Sequence, residues 1–158
     1  RLERNILKEA SSGYLDCAIL IQEKIEGKEY GMDVLNDFNG NYIDTFIREK
    51  LSMRSGETDK AISVIDPRFD TIGNSIGNHL KHLGNLDCDV LEKNGVLYVL
   101  ELNPRFGGGY PFSHEAGVNI PAIYIEWFNG NKNVQKYINY KANIIFSKCD
   151  RLLKIKDN

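Results

Sequence analysis

The stretch of sequence that best indicates the fold is ELNPRFGGGYPFSHEAG, residues 101–117. It follows VLYVL, an apolar run that predicts a buried strand. The end of that strand carries an acid, an amide and a guanidinium within five positions, in Glu101, Asn103 and Arg105, and three glycines follow at 107–109. Packing alone does not require such a composition, and it indicates a binding site at this point of the chain.

Composition predicts one folded domain. The 158 residues are 42% hydrophobic, and the net charge of −2 gives no basis for attraction to nucleic acid or to anionic membranes. No apolar run approaches the roughly 20 residues that cross a bilayer, and no signal peptide is expected. Three scattered cysteines without a CxxC pair favour a reducing, cytoplasmic setting. A helical pattern from the first residue, without an initiator Met, indicates a piece of a longer protein.

Hydrophobic periodicity predicts an α+β fold, with a mostly antiparallel sheet covered by helices. Helices are predicted over residues 1–10, 68–83 and 121–128, with Gly84 ending the second. Strands are predicted over residues 17–25, 29–37, 41–50, 51–54, 60–66, 86–93 and 96–103, with a final pair in 141–156. A polar loop is expected after 54, and Asn39-Gly40 and Asn94-Gly95 are hairpin signals.

Glu101 and Asn103 are two positions apart on one strand, so their side chains leave the same face of the sheet. With Asp89 on the partner strand, they form the all-oxygen environment that Mg²⁺ prefers. The alternative is that they only solvate a strand end. Arg105 favours the metal interpretation, because a guanidinium suits a phosphate oxygen. The glycines at 107–109 either offer N–H groups to an anion or form a flexible loop.

The face that Asp89 occupies depends on the turn between its strand and the next. A two-residue Asn94-Gly95 turn would set Cys88 opposite Glu101 and point Asp89 away from it. We therefore predict a three-residue loop over 93–95, with Gly95 in the left-handed region. That loop places Asp89, together with Val99, on the face of Glu101.

The segment YVLELNPRFGGGYPFSHEAGVNIPAIYIEWFNG resembles the C-terminal part of the ATP-grasp superfamily. It is most similar to the carbamoyl-phosphate-synthetase-like and biotin-carboxylase-like members, whose strand ends in Glu-x-Asn-Pro-Arg. Upstream, ILIQEKIEGKEYGMDVLND is similar to the adenine hinge of the family, and LDCDVLEKNGVLYVLELN fits between the two as its metal hairpin. The resemblance covers residues 17–130 and leaves the tail 131–158 unmatched.

This resemblance implies ATP and Mg²⁺ (or Mn²⁺) as cofactors. The residues implied to contact the nucleoside are Glu23, Lys24 and Ile25 at the adenine edge, Glu29 at the ribose hydroxyls and Leu91 against the purine. Those implied to hold metal are Asp89, Glu101 and Asn103, and Arg105 is the implied catalytic residue, steadying the γ-phosphate or the acyl phosphate formed from it.

The implied activity is that of an ATP- and Mg-dependent carboxylate–amine ligase, carbamoyl phosphate synthase-like, acting through an acyl phosphate. Small-molecule carboxylate and amine substrates are expected, with no nucleic-acid or membrane partner, and a homo-oligomer is left open. The alternative is a non-catalytic nucleotide-binding or regulatory domain that retains the fold. Because the N-terminal lobe and a preceding substrate domain of the family are missing, this chain alone is expected to be inactive and to bind ATP weakly.

Three basic residues near the polar loop, Arg48, Lys50 and Arg54, are interpreted as a basic wall facing phosphates or a carboxylate, against the alternative that all three are surface charge. His114 follows the glycine run, and a substrate contact there is left open.

Overall fold

The structure is a computed structural model that describes residues 21–150 and 153–156. Its six strands form one sheet in the order β5-β4-β1-β2-β3-β6, and every neighbouring pair is antiparallel. The strands are β1 (Lys28–Asn36), β2 (Tyr42–Arg54), β3 (Glu57–Val64), β4 (Gly84–Lys93), β5 (Val96–Asn103) and β6 (Ile145–Ser147). The helices are α1 (Pro67–Leu80), α2 (Tyr110–Glu115) and α3 (Ile120–Phe128), with a 3₁₀ turn at Gln135–Tyr137. The predicted α+β class with an antiparallel sheet is confirmed.

Two tight turns close the β2–β3 and β4–β5 hairpins. Asn94 and Gly95 have φ of 54° and 80°, and Ser55 and Gly56 have φ of 53° and 83°. Positive φ at both central residues is typical of the two-residue turn that matches the twist of antiparallel strands. The polar loop expected after residue 54 is therefore only a turn, because β2 runs unbroken to Arg54.

Helix α1 begins and ends at recognisable caps. The Asp66 carboxylate accepts a hydrogen bond from the Arg68 N–H at 3.0 Å, and Pro67 occupies the first turn. Lys81, with φ of 49°, ends the helix in the left-handed region. The predicted continuation to residue 83, with Gly84 as its cap, is wrong, because Gly84 (φ 74°) is the first residue of β4.

Side chains alternate along the strands and form a core on each face of the sheet. On one face α1 packs over the cluster Tyr30, Met32, Val34, Ile47, Phe69, Leu86, Cys88 and Val90. On the other face α2, α3 and the following segment cover the cluster Leu35, Phe46, Tyr110, Val118, Ile120, Ile123 and Val134. This second cluster covers only part of its face, and the uncovered part carries charged side chains.

Other differences lie near the ends of the chain. Residues 21–25 form no strand, and the rest of the predicted strand and the helix over 1–10 lie outside the described residues. In the described part of the tail there is one strand, β6, which pairs with β3 instead of forming a hairpin of its own. Helix α2 was not predicted. None of the described helices is long and apolar enough to cross a membrane.

Candidate functional site

Beside the second core cluster, this face of the sheet carries a row of paired residues from four strands. Glu101 on β5 pairs with Asp89 on β4, Asp89 pairs with Gly31 on β1, and Gly31 pairs with Arg48 on β2. A Cβ atom at Gly31 would lie 2.8 Å from Nη2 of Arg48. The absence of a side chain at Gly31 therefore leaves the space over β1 that the Arg48 guanidinium occupies.

The β4–β5 hairpin sets Asp89 opposite Glu101 with a turn and a bulge that differ from the predicted loop. The Asn94-Gly95 turn has two residues, so the predicted three-residue loop is wrong, although the left-handed conformation of Gly95 is confirmed. An irregularity between Asp89 and Val90 then adds one residue on β5, Leu100, and brings Asp89 opposite Glu101. The bulge thus restores the common face of the two carboxylates that the longer loop was predicted to provide.

The same bulge decides which apolar side chains join the site. Tyr98 pairs with Leu91, and Val99 pairs with the buried core residue Val90. The prediction that Val99 shares the face of Glu101 is therefore wrong, and Tyr98 takes that place. Leu91, the residue implied to pack on a purine, is half-buried on the site face.

Arg48 is a buried charge. Only 2% of its side chain is exposed, and its guanidinium donates to Asp33 at 2.5 Å and to Asp87 at 2.8 Å. Burial alone would lower the pKa of Arg48, but Asp33 and Asp87 raise it, so the guanidinium stays charged. Ser113 donates a further hydrogen bond to Asp33 at 2.7 Å. Arg48 is therefore neither the free phosphate ligand nor the surface charge that the sequence left open.

The glycines at 107–109 close over this buried pair. A Cβ at Gly107 would lie 2.1 Å from the Asp87 carboxyl group, and one at Gly109 would lie 2.2 Å from Nε of Arg48. At Gly108 the nearest atoms, in Glu57, would be 3.8 Å away. Close backbone approach thus accounts for the first and third glycines. Two residues before Asp89, Asp87 was expected on the same face of the sheet, but the sequence reasoning assigned it no role.

Lys50 lies between Glu29, the residue implied to bind the ribose, and Asp89, a residue implied to bind the metal. Its Nζ lies 2.6 Å from Glu29 and 2.9 Å from Asp89, and only 7% of its side chain is exposed. Burial opposes the charged form of Lys50, but the hydrogen bonds and charges of Glu29 and Asp89 outweigh it and raise the pKa. Lys50 therefore neutralises the implied ribose acceptor and the implied metal ligand together.

These groups line a cleft of about 300 Å³ between the sheet face, the β2–β3 turn and the glycines. Its charged lining residues are Arg48, Lys50, Arg105, Glu57, Asp87, Asp89 and Glu101. Burial raises the pKa of Asp87, although the Arg48 charge opposes the shift. Cations and carboxylates thus alternate within one small volume, an arrangement suited to holding phosphate and metal together.

The donor set fits a hard divalent cation. Glu101 accepts a hydrogen bond from the Asn103 amide at 2.9 Å, and Asp89 lies opposite Glu101 on the partner strand. Over residues 21–150 and 153–156, no three His, Cys, Asp or Glu side chains are grouped to hold a metal by themselves. Mg²⁺ commonly takes one or two carboxylates and completes its shell with water and substrate phosphates, so two carboxylates are compatible with such a site.

Of the remaining predicted residues, one lines the cleft and three lie outside it. Arg105 lines the cleft with its side chain 60% exposed, and its Nη1 lies 3.9 Å from Oδ2 of Asp87. Glu23 and Lys24 are exposed and Ile25 is half-buried, in an irregular segment that leads to β1 and does not line the cleft.

Two other residues lie away from the cleft lining. Arg54 is about half exposed and pairs with Asp59 and Asp150, so it is a surface charge. His114 contacts the Tyr110 hydroxyl at 3.1 Å.

Comparison with known proteins gives one family and a set of related folds. Residues 16–150 match a family model described as ATP-grasp in the biosynthetic pathway with Ter operon, so the match continues 20 residues beyond residue 130. No curated protein matches the sequence. The fold is similar to a Rhizobium etli pyruvate carboxylase solved with the allosteric activator acetyl coenzyme A, with a TM-score of 0.61 and 16% identity over 75% of this chain.

A second similar fold is the biotin carboxylase domain of a thermophilic 2-oxoglutarate carboxylase bound to ADP, with a TM-score of 0.57 and 18% identity over 75% of this chain. The chain covers 12% of the pyruvate carboxylase and 28% of the biotin carboxylase domain. It is therefore much shorter than these structures.

Proposed function

The chain belongs to the ATP-grasp family, and from that membership we propose that it is the nucleotide- and metal-binding C-terminal lobe of an ATP-dependent ligase. The reaction we propose is of the carboxylate–amine type, carbamoyl phosphate synthase-like. ATP phosphorylates a small-molecule carboxylate, and an amine then displaces phosphate from the acyl phosphate. The N-terminal lobe and the substrate domain would be supplied outside residues 1–158, in a cytoplasmic protein.

The observation that carries this proposal is the pairing of Asp89 with Glu101 inside a cleft that also holds Lys50 and Arg105. Phosphoryl transfer requires the reacting groups to be positioned and the phosphate charge to be neutralised, with little covalent help from the protein. Two carboxylates for a metal and two cations for phosphate oxygens meet that requirement. A sheet face that only solvated its own strand end would not need Lys50 buried beside them.

Each side chain has a proposed part in binding. Asp89 and Glu101, with Asn103 beside Glu101, would hold Mg²⁺, which supplies neutralisation of phosphate charge when bound. Arg105, more than half exposed at the cleft, would donate to the transferred phosphoryl group.

The nucleoside would lie along the strand ends that lead away from the cleft. Glu29 would accept hydrogen bonds from ribose hydroxyls, and Leu91 on the same sheet face would pack against the purine. The exposed segment of Glu23, Lys24 and Ile25 would meet the adenine edge through its backbone. Since only one wall of this slot belongs to the described chain, the 158 residues alone should bind ATP weakly and not turn it over.

Magnesium-dependent ADP formation by the protein that contains this chain tests the proposal. We expect Glu101→Gln to abolish ADP formation, because the change removes a metal-binding charge. The matched control Glu115→Gln, at an exposed position outside the cleft, should leave the rate unchanged. Nucleotide binding without any ADP formation would instead support the second candidate, a regulatory domain that retains the fold.

A further inference from the structure

We propose that Lys50 is an internal counter-ion that keeps divalent metal away from Asp89 until nucleotide binds. The inference rests on the proposed function, because it takes Asp89 and Glu101 as the metal-binding pair. It assigns Lys50 a positioning role that couples the metal site to the nucleotide site.

The first step of the argument is the depth at which Lys50 lies. Its side chain is 7% exposed, whereas Lys28, on the neighbouring strand, is 60% exposed and pairs with Glu49. Holding a lysine this deep costs side-chain entropy and hydration, and the two short contacts to Glu29 and Asp89 offset that cost. The structure thus fixes the ammonium group between two carboxylates.

The second step concerns what Lys50 excludes. Its Nζ lies 2.9 Å from Oδ1 of Asp89, and a divalent ion bound by the same carboxylate would be within a few ångströms of the ammonium. Two cations at such a distance repel each other strongly where the surroundings are partly dry. Metal can therefore occupy Asp89 and Glu101 only when Lys50 moves away from Asp89.

The third step is that a nucleotide gives Lys50 an alternative partner and gives the metal additional ligands. Its phosphates offer Lys50 another anionic partner, and they offer the metal further oxygen ligands. Glu29, the second partner of Lys50, is the proposed ribose acceptor. An arriving nucleotide would therefore contact Lys50 through its phosphates and Glu29 through its ribose. Metal and nucleotide should consequently bind together, and metal alone should bind poorly.

The experiment measures Mn²⁺ binding to the 158-residue chain without nucleotide, with free Mn²⁺ quantified by electron paramagnetic resonance. Lys50→Met should bind Mn²⁺ at least about tenfold more tightly than the unchanged chain, a difference of about 1.4 kcal/mol. Lys50→Arg keeps the charge and should bind as weakly as the unchanged chain. Lys28→Met, the matched control, removes an exposed lysine from the next strand and should also change nothing.

The outcomes separate this inference from the proposed function. Mn²⁺ affinity that is equal or lower in Lys50→Met, or no saturable binding in that variant, overturns the counter-ion role. If Lys50→Met gains a site that Glu101→Gln does not weaken in the double variant, the ion is bound elsewhere and the proposed metal pair is wrong. If Glu101→Gln weakens binding but Lys50→Met does not strengthen it, only the counter-ion role fails.

Discussion

Asp89 on β4 lies directly opposite Glu101 on β5, although the turn that joins their strands would by itself set Cys88 in that position. The pairing runs regularly from the Asn94-Gly95 turn to Val90, and there one additional residue in β5 shifts it. A change of one residue exchanges the two faces of a strand. As long as Leu100 is present, the proposed metal pair therefore depends on the bulge that leaves this residue unpaired.

Deletion of Leu100 provides a test of this register. Without the additional residue, Val99 and Glu101 become consecutive, and regular pairing still sets Glu101 opposite Asp89. We expect the deletion variant to retain the contact between the two residues, seen as a cross-strand nuclear Overhauser effect between their α-protons. Loss of that contact, with Val90 opposite Glu101, would show that the bulge persists and has been assigned to the wrong residue.

Replacing Gly109 with alanine should lower the free energy of unfolding much more than replacing Gly108. In Gly109→Ala the new Cβ would meet Nε of Arg48 at 2.2 Å, and we expect a loss of about 1–3 kcal/mol in the free energy of unfolding. Gly108→Ala is the control, because its Cβ would have no atom nearer than 3.8 Å, and its effect should stay within about 0.5 kcal/mol. Urea denaturation measures both, and equal losses would contradict the close packing over Arg48.

Arg48→Met should be severely destabilising. It leaves the buried carboxylate of Asp33 without its cation, and breaking a buried ion pair from one side costs about 3–5 kcal/mol. Arg54→Met, six residues further along the same strand, removes a side chain that is about half exposed and should have little effect. Thermal unfolding of both variants gives the comparison, and an Arg48→Met protein as stable as Arg54→Met would mean that the buried pairs do not contribute.

Substitutions of Glu29 and Glu101 should have different effects on ATP binding and metal dependence in the protein that contains this chain. Glu29→Ala should weaken ATP binding and leave the dependence on Mg²⁺ concentration unchanged, because it removes a proposed ribose acceptor. Glu101→Ala should abolish turnover, and it should shift the Mg²⁺ dependence of nucleotide binding. Calorimetric titration with ATP at several Mg²⁺ concentrations distinguishes them, and equal shifts in metal dependence would contradict the separate assignments.

Local sequence patterns were sufficient for most of the sheet and for the face that carries Asp89 and Glu101. Alternating apolar residues, two Asn-Gly turns and the spacing of Glu101 and Asn103 each express a short-range rule. They also predicted the left-handed Gly95. The length of its loop was wrong, because a two-residue turn followed by a bulge and a three-residue loop give the same parity at Asp89.

The parts that could not be predicted depend on contacts between distant segments. Arg48 and Asp33 are 15 residues apart, and Arg48 and Asp87 are 39 residues apart. Only the folded sheet shows that these charges are paired and buried beneath 107–109. The burial of Lys50 between Glu29 and Asp89 has the same origin, since each of the three lies on a different strand.

The location of a metal ion in crystals grown with Mn²⁺ and ADP tests the central claim most directly. For the protein that contains this chain, the account predicts an anomalous difference peak within about 2.0–2.6 Å of carboxylate oxygens of both Asp89 and Glu101, the range of oxygen ligands for hard divalent ions. In the same crystals Lys50 should have left Asp89. A fully occupied Mn²⁺ that contacts neither carboxylate, while Lys50 remains bound to Asp89, would contradict the proposed site.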